Sequence, residues 1–216
     1  WDGKDIFLHI GSATSNVRVW VNGKEVGYSE DSKLEARFDI TKYVKKGENL
    51  IALEIFRWCD GTYLEDQDFF RFSGIARDVY VYSREKKRLE NVKVVASASG
   101  DAALYAEVSK GVTAVSFDIL DPSGKQVAST RVDVNTKSRS ENGLPYVETK
   151  LNVPSVMQWT AETPSLYTLD VAVYDKKGQT EATSIQIGFR DVEIVGGQLL
   201  VNGKPVVEYT VGAVTK

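Results

Sequence analysis

The sequence predicts an all-β chain. Apolar residues alternate with period two through almost every hydrophobic segment, as in strands with one buried face. β-Branched residues and tyrosine dominate those segments, and no stretch of twelve residues carries helical periodicity.

The first strands are expected at 5–10 (DIFLHI), 16–21 (NVRVWV), 24–29, 34–40, 49–56 (NLIALEIF) and 77–84 (RDVYVYSR). Asn22-Gly23 joins the second and third as a two-residue type I′ hairpin, because both residues tolerate positive φ. Lys46-Gly47-Glu48-Asn49 is a further turn. At 83–90 the alternation breaks into "SREKKRLE", a charged stretch that suits a domain boundary near 83–89 or a solvated hairpin. Strands follow at 91–98, 102–109, 113–121, 126–134, 146–153, 166–175 and 182–190, with turns at Pro122-Ser123-Gly124 and Lys177-Gly178. Seven strands in about 100 residues suit an immunoglobulin-like or fibronectin-like sandwich. Residues 135–145 read as a polar loop, and "GGQLLVNGKPV" as a hairpin turning at Asn202-Gly203. The expected organisation is a first β domain at 1–86, an immunoglobulin-like sandwich at 87–190 and a linker hairpin at 191–216.

A net charge of −3 and a pI near 5.4, with no basic stripe, argue against nucleic-acid and membrane-surface binding. No apolar run reaches the roughly 18–20 residues of a membrane span. Cys59 is the only cysteine and His9 the only histidine, which excludes an internal disulfide and a multi-histidine metal site within these residues. His9 reads as a structural or surface histidine, Cys59 as a free thiol, Trp20 as core and Trp159 as a packing residue of the second sandwich.

One stretch fits neither a core strand nor a solvated loop: "RWCDGTYLEDQDFFRFSGIARD" at 57–78. If extended from Tyr63 to Ser73, it points Asp66 and Asp68 to one side and Glu65 and Phe69 to the other. Paired carboxylates repel unless a cation, an arginine or a hydroxyl-rich ligand lies between them. Charge and spacing favour a structural network in which Arg57, Arg71 and Arg77 neutralise Asp60, Glu65 and Asp66. A sugar site, with Trp58, Tyr63, Phe69 and Phe70 as aromatic faces, or an oxygen-ligand cation site is the sharper alternative.

The wording of the run adds to this. Residues 27–83, and above all "RWCDGTYLEDQDFFRFSGIARDV", closely resemble the sugar-binding jelly-roll domain of glycoside hydrolase family 2, β-galactosidase type. "VPSVMQWTAETPSLYTLDVAVYDKKG" resembles that family's immunoglobulin-like second domain through Trp159, Glu162, Pro164, Leu166 and Tyr167. "GFRDVEIVGGQLLVNGKPV" is similar to the segment feeding the family's catalytic barrel. The resemblance implies a galactose-binding-like jelly roll lacking its earliest strands, then an immunoglobulin-like sandwich. The parent would be a retaining β-galactosidase and this chain its non-catalytic part, inactive alone, because both catalytic glutamates belong to the barrel.

Asp68 would then contact galactosyl hydroxyls and, in metal-dependent members, help hold sodium, with magnesium confined to the barrel. Arg57, Trp58, Glu65, Asp66 and Arg71 match positions that support it. The partners implied are a β-galactoside shared with the barrel and a homo-oligomeric parent, with no nucleic acid and no membrane. A soluble bacterial-type parent, cytoplasmic or periplasmic, is implied as well. Asp66 and Asp68 are rejected as a catalytic pair, since nothing near them tunes one as an acid. Past Pro205 the chain departs from the family pattern, reading "VVEYTVGAVTK". The competing functions are a free-standing carbohydrate-binding module and a β-sandwich interaction protein.

Overall fold

The structure is a computed structural model that describes residues 1–65, 70, 72–135 and 137–206. The chain divides into two compact units, 1–86 and 87–216.

The first unit contains β1 (Asp5–Ile10), β2 (Ala13–Thr14), β3 (Val17–Val21), β4 (Lys24–Ser29), β5 (Ala36–Asp39), β6 (Ile51–Glu54), a single helical turn α1 (Gly61–Leu64), β7 (Gly74–Ile75) and β8 (Val79–Arg84). Two antiparallel sheets, ordered β5-β1-β8 and β4-β3-β6, share one core, and β2 pairs with β7 in a short ribbon. Alternation decides what enters that core. Val17, Val19 and Val21 of β3 are buried with Leu8 and Ile10 of β1 and Ile40, each worth about 1.5–3 kcal/mol of apolar burial. The same period puts Trp20 on the opposite face, half-buried between Glu25 and Ala52 of the flanking strands. The expectation that Trp20 is core is corrected accordingly: its valine neighbours take that face. At the hairpin, Val21 pairs with Lys24, and Asn22 and Gly23 both have positive φ (52° and 77°), as a type I′ turn requires. His9 stacks on Tyr80 at 4.4 Å and sets Nδ1 3.5 Å from Glu35, a structural placement.

In the second unit, β9 (Leu89–Ala96), β10 (Asp101–Val108) and β13 (Tyr146–Asn152) form one sheet, ordered β13-β10-β9. The other sheet, ordered β12-β11-β14-β15, contains β11 (Ala114–Leu120), β12 (Gln126–Asp133), β14 (Tyr167–Asp175) and β15 (Gly178–Ile187). Three strands face four over a core of Leu104, Phe117, Ile119, Leu169 and Phe189. The fourth strand in sequence lies beside the third, not beside the fifth. That is the variant of the sandwich in which the middle strand changes sheet. Gly100 turns the chain between β9 and β10 at φ +94°, and a Cβ there would lie 2.2 Å from the Val153 carbonyl oxygen, so only glycine fits.

Trp159 packs against Gly188, carries the Arg190 guanidinium 4.3 Å above its ring, and bridges to Pro164. The Tyr167 hydroxyl accepts a bond from the Met157 amide. Trp159 and Tyr167 thus pack within the second unit. A meander of β16 (Val192–Val195), β17 (Gln198–Val201) and β18 (Lys204–Pro205) follows. Its turns are Gly196-Gly197 and Asn202-Gly203, all four residues at positive φ. Asn202 also donates from Nδ2 to the Trp159 carbonyl.

Candidate functional site

The loop that follows β6 is rooted in a knot of buried hydroxyls. Ser15 and Thr62 are 1% and 2% exposed. The Ser15 hydroxyl donates to the Arg57 carbonyl at 2.7 Å and accepts from Thr62 Oγ1 at 3.0 Å. Thr62 Oγ1 in turn accepts from the Cys59 amide at 3.0 Å. The Phe56 amide donates to Asn16 Oδ1, the Ser15 amide to the Phe56 carbonyl, and the Ser32 hydroxyl to the Ser15 carbonyl. These bonds give the buried Ser15, Asn16 and Thr62 side chains partners in place of water, which is what makes burying them tolerable.

Above this root the loop turns through α1, closed by the bond from the Glu65 amide to the Gly61 carbonyl at 3.1 Å. The extended reading fails at this end, because Tyr63 and Leu64 are helical. Only one turn forms, too short to leave a periodicity in the sequence. Thr62 points inward while Tyr63 and Leu64 stand 86% and 90% exposed. Trp58, Phe70 and Phe72 are also exposed, the two phenylalanine rings 5.9 Å apart. The loop therefore has a polar anchored base and an aromatic outer surface, the inverse of ordinary burial.

Of the residues singled out in sequence, Arg57 lies over the Trp58 ring at 5.3 Å and Glu65 Oε1 accepts from the Ser32 amide at 3.3 Å. Arg77 donates to the Lys33 carbonyl at 3.2 Å. Asp66, Asp68, Phe69 and Arg71 lie outside the described residues, and so does the part of the charge network that would involve them. Ser15, Asn16, Ser32 and Thr62 were missed. For Ser15 and Asn16 the one signal is "SATSN" at 12–16, a polar run that enters a strand and nonetheless holds the buried Ser12, Ser15 and Asn16.

Beside the root, ligand atoms of Glu30, Cys59 and Asp60 lie within 4.8 Å of one another. A thiol is a poor partner for sodium or magnesium, so this trio does not make the oxygen-only set such ions require. Glu30 already accepts a 2.7 Å bond from the Tyr28 hydroxyl, and that bond is the main reason the Tyr28 pKa is pushed up to about 12.

The first unit is thus a jelly-roll-type sandwich carrying an acid- and aromatic-rich loop, and the second an immunoglobulin-like sandwich. The sequence matches the family profile "Glycosyl hydrolases family 2, sugar binding domain" over residues 1–85 and "Glycosyl hydrolases family 2" over residues 75–190. The chain belongs to glycosyl hydrolases family 2.

Among curated relatives, it is 34% identical over 96% of its length to a β-galactosidase of Priestia megaterium. It is 38% identical over 93% of its length to one of Photobacterium profundum. It spans about a fifth of either relative: 21% of the first and 20% of the second. Among solved structures it is similar to a β-glucuronidase of Ruminococcus gnavus in complex with uronic deoxynojirimycin, with a TM-score of 0.80, 27% identity, and coverage of 95% of this chain and 36% of that one. A β-glucuronidase of Bifidobacterium dentium shares the fold, with a TM-score of 0.75, 20% identity, and coverage of 94% of this chain and 39% of that one. Among the described residues, no helix is long and apolar enough to cross a membrane.

Proposed function

We propose that the chain is the sugar-binding and immunoglobulin-like part of an enzyme that hydrolyses terminal β-D-galactosides with retention, and that its 57–72 loop shapes the mouth of the active site. The carrying observation is the loop itself: a base fixed by Ser15 and Thr62 lifts Trp58, Tyr63 and Phe70 into solvent on either side of Asp68 in sequence. Aromatic faces close in sequence to a carboxylate suit a ligand with apolar C–H faces and hydroxyl edges. The catalytic carboxylates would lie in chain beyond these 216 residues, and the parent would be a soluble homo-oligomer. Identity of 34–38% to β-galactosidases, against 26–27% to the R. gnavus β-glucuronidase structures, favours the galactoside.

In this reading Asp68 accepts hydrogen bonds from galactosyl hydroxyls. As a hard oxygen ligand it would also suit sodium, whose charge helps hold those hydroxyls in place. Arg57, Trp58, Glu65, Asp66 and Arg71 position the run. A hydrogen bond from a hydroxyl to a charged acceptor contributes about 1.5–3 kcal/mol. Asp68→Ala in the full-length protein should therefore lower kcat/KM on an aryl β-galactoside by about ten- to a hundredfold or more. The aryl β-glucuronide measured beside it should remain a poor substrate. Sodium dependence of the wild type should be lost in Asp68→Ala. Normal turnover by the variant would remove Asp68 from the site, and preference for the glucuronide would overturn the substrate assignment.

A further inference from the structure

The outer face of the β13-β10-β9 sheet is built differently from a solvated sheet surface. Residues 102, 104, 106 and 108 of β10 point into the core, so 103, 105 and 107 point outward. Register then sets three rows across the sheet: Tyr146, Glu107 and Asn91; Glu148, Tyr105 and Lys93; Lys150, Ala103 and Val95. Ala103 leaves a hollow beside Tyr105, and residues of the 139–142 loop line one side of it. The hollow is shallow and open to solvent on its outer side, with a volume of about 950 Å³.

Glu107 lies under this loop and is only 5% exposed. It accepts from the Tyr105 hydroxyl at 3.0 Å and from Asn142 Nδ2 at 3.2 Å on each oxygen. Further bonds come from Ser140 and Asn91, and together these donors, Ser140 foremost, hold its carboxyl below the usual range. Its acceptor capacity is spent inside the protein. What it does is fix the Tyr105 ring and the 140–142 segment before any ligand arrives, and groups already ordered add little entropy cost to binding.

We propose that this face is a binding site for a neutral oligosaccharide. Tyr105 and Tyr146, a half-buried ring pair with centroids 5.3 Å apart and planes tilted by 32°, line the hollow, and sugar C–H groups pack on the ring surface the pair leaves open. Lys93, Arg139 and Lys150 balance Glu107, Glu141 and Glu148 around the hollow, so the site offers donors and acceptors to hydroxyls without a net field that would select an anion or a cation.

The test is amide chemical-shift mapping on the 15N-labelled chain titrated with cellotetraose, maltotetraose and β-1,4-linked galactotetraose. At least one should shift the amides of Tyr105, Asn142 and Tyr146, with an affinity in the millimolar range or tighter. Tyr105→Ala and Tyr146→Ala should each weaken it by about tenfold or more, as truncation of an aromatic anchor does. Tyr146 is on an edge strand, so its variant stands even if Tyr105→Ala fails to fold. Silence from all three sugars, shifts confined to other residues, or affinity unchanged in Tyr146→Ala would each overturn the proposal. The readout is binding to the second unit, so it is independent of hydrolysis and of Asp68.

Discussion

Replacing Thr62 by valine keeps shape and burial while deleting the hydroxyl that ties the 57–65 segment to the sheet. The Cys59 amide loses its acceptor, and Ser15 loses the bond it accepts from Thr62, in a place only 1–2% open to solvent. A buried donor left unpaired costs about 1–3 kcal/mol, so about 2 kcal/mol is expected for the pair. For a unit of 86 residues, each kcal/mol moves the midpoint by about 4–8 °C, which puts the drop at about 8–16 °C. Thr62→Ser keeps the hydroxyl and loses one methyl, a change of about 0.8 kcal/mol. Urea unfolding followed by tryptophan fluorescence, together with hydrogen exchange at the Cys59 amide, reads both variants. If Thr62→Val is as stable as Thr62→Ser and Cys59 exchange is unchanged in both, the hydroxyl does not anchor the loop and the reasoning fails.

Other outcomes follow from the same structure. Gly100→Ala should destabilise the second unit by more than about 2 kcal/mol, because backbone strain and a blocked carbonyl add. Gly23→Ala, at φ +77° with nothing within 4 Å of the new Cβ, should cost only about 1–2 kcal/mol; equal losses at the two sites in urea titrations would contradict the steric argument. Glu107 has a folded pKa below its unfolded one, so its stabilisation is present above the unfolded value and vanishes as pH falls through the folded one. Acid unfolding of the second unit should therefore flatten in Glu107→Gln, and an unchanged pH profile would show that the carboxylate is not coupled to folding.

Strands long enough to show alternation were legible, and so were the two Asn-Gly hairpins, because side-chain parity and positive φ are local properties of these residues. The two-residue strands β2 and β7 and the single turn α1 were not, since each is shorter than one period of the pattern that would reveal it. Trp20 misled for another reason: size suggests core, but parity assigns the core to Val19 and Val21. The hydroxyl root escaped notice because Ser15 and Thr62 are 47 residues apart, and only the fold brings them together. Charge and spacing marked Asp66 and Asp68 alike; only the wording of the run set Asp68 apart.

The hydroxyl root also separates two kinds of constraint along one chain. The residues that fasten the loop are small, inward and few, whereas those that face outward are large and touch little of the sandwich. Exchange of the outward residues between relatives should leave folding intact as long as Ser15, Asn16 and Thr62 remain. The first unit is thus a socket for this loop: its outward residues can change without renegotiating the core that holds its base.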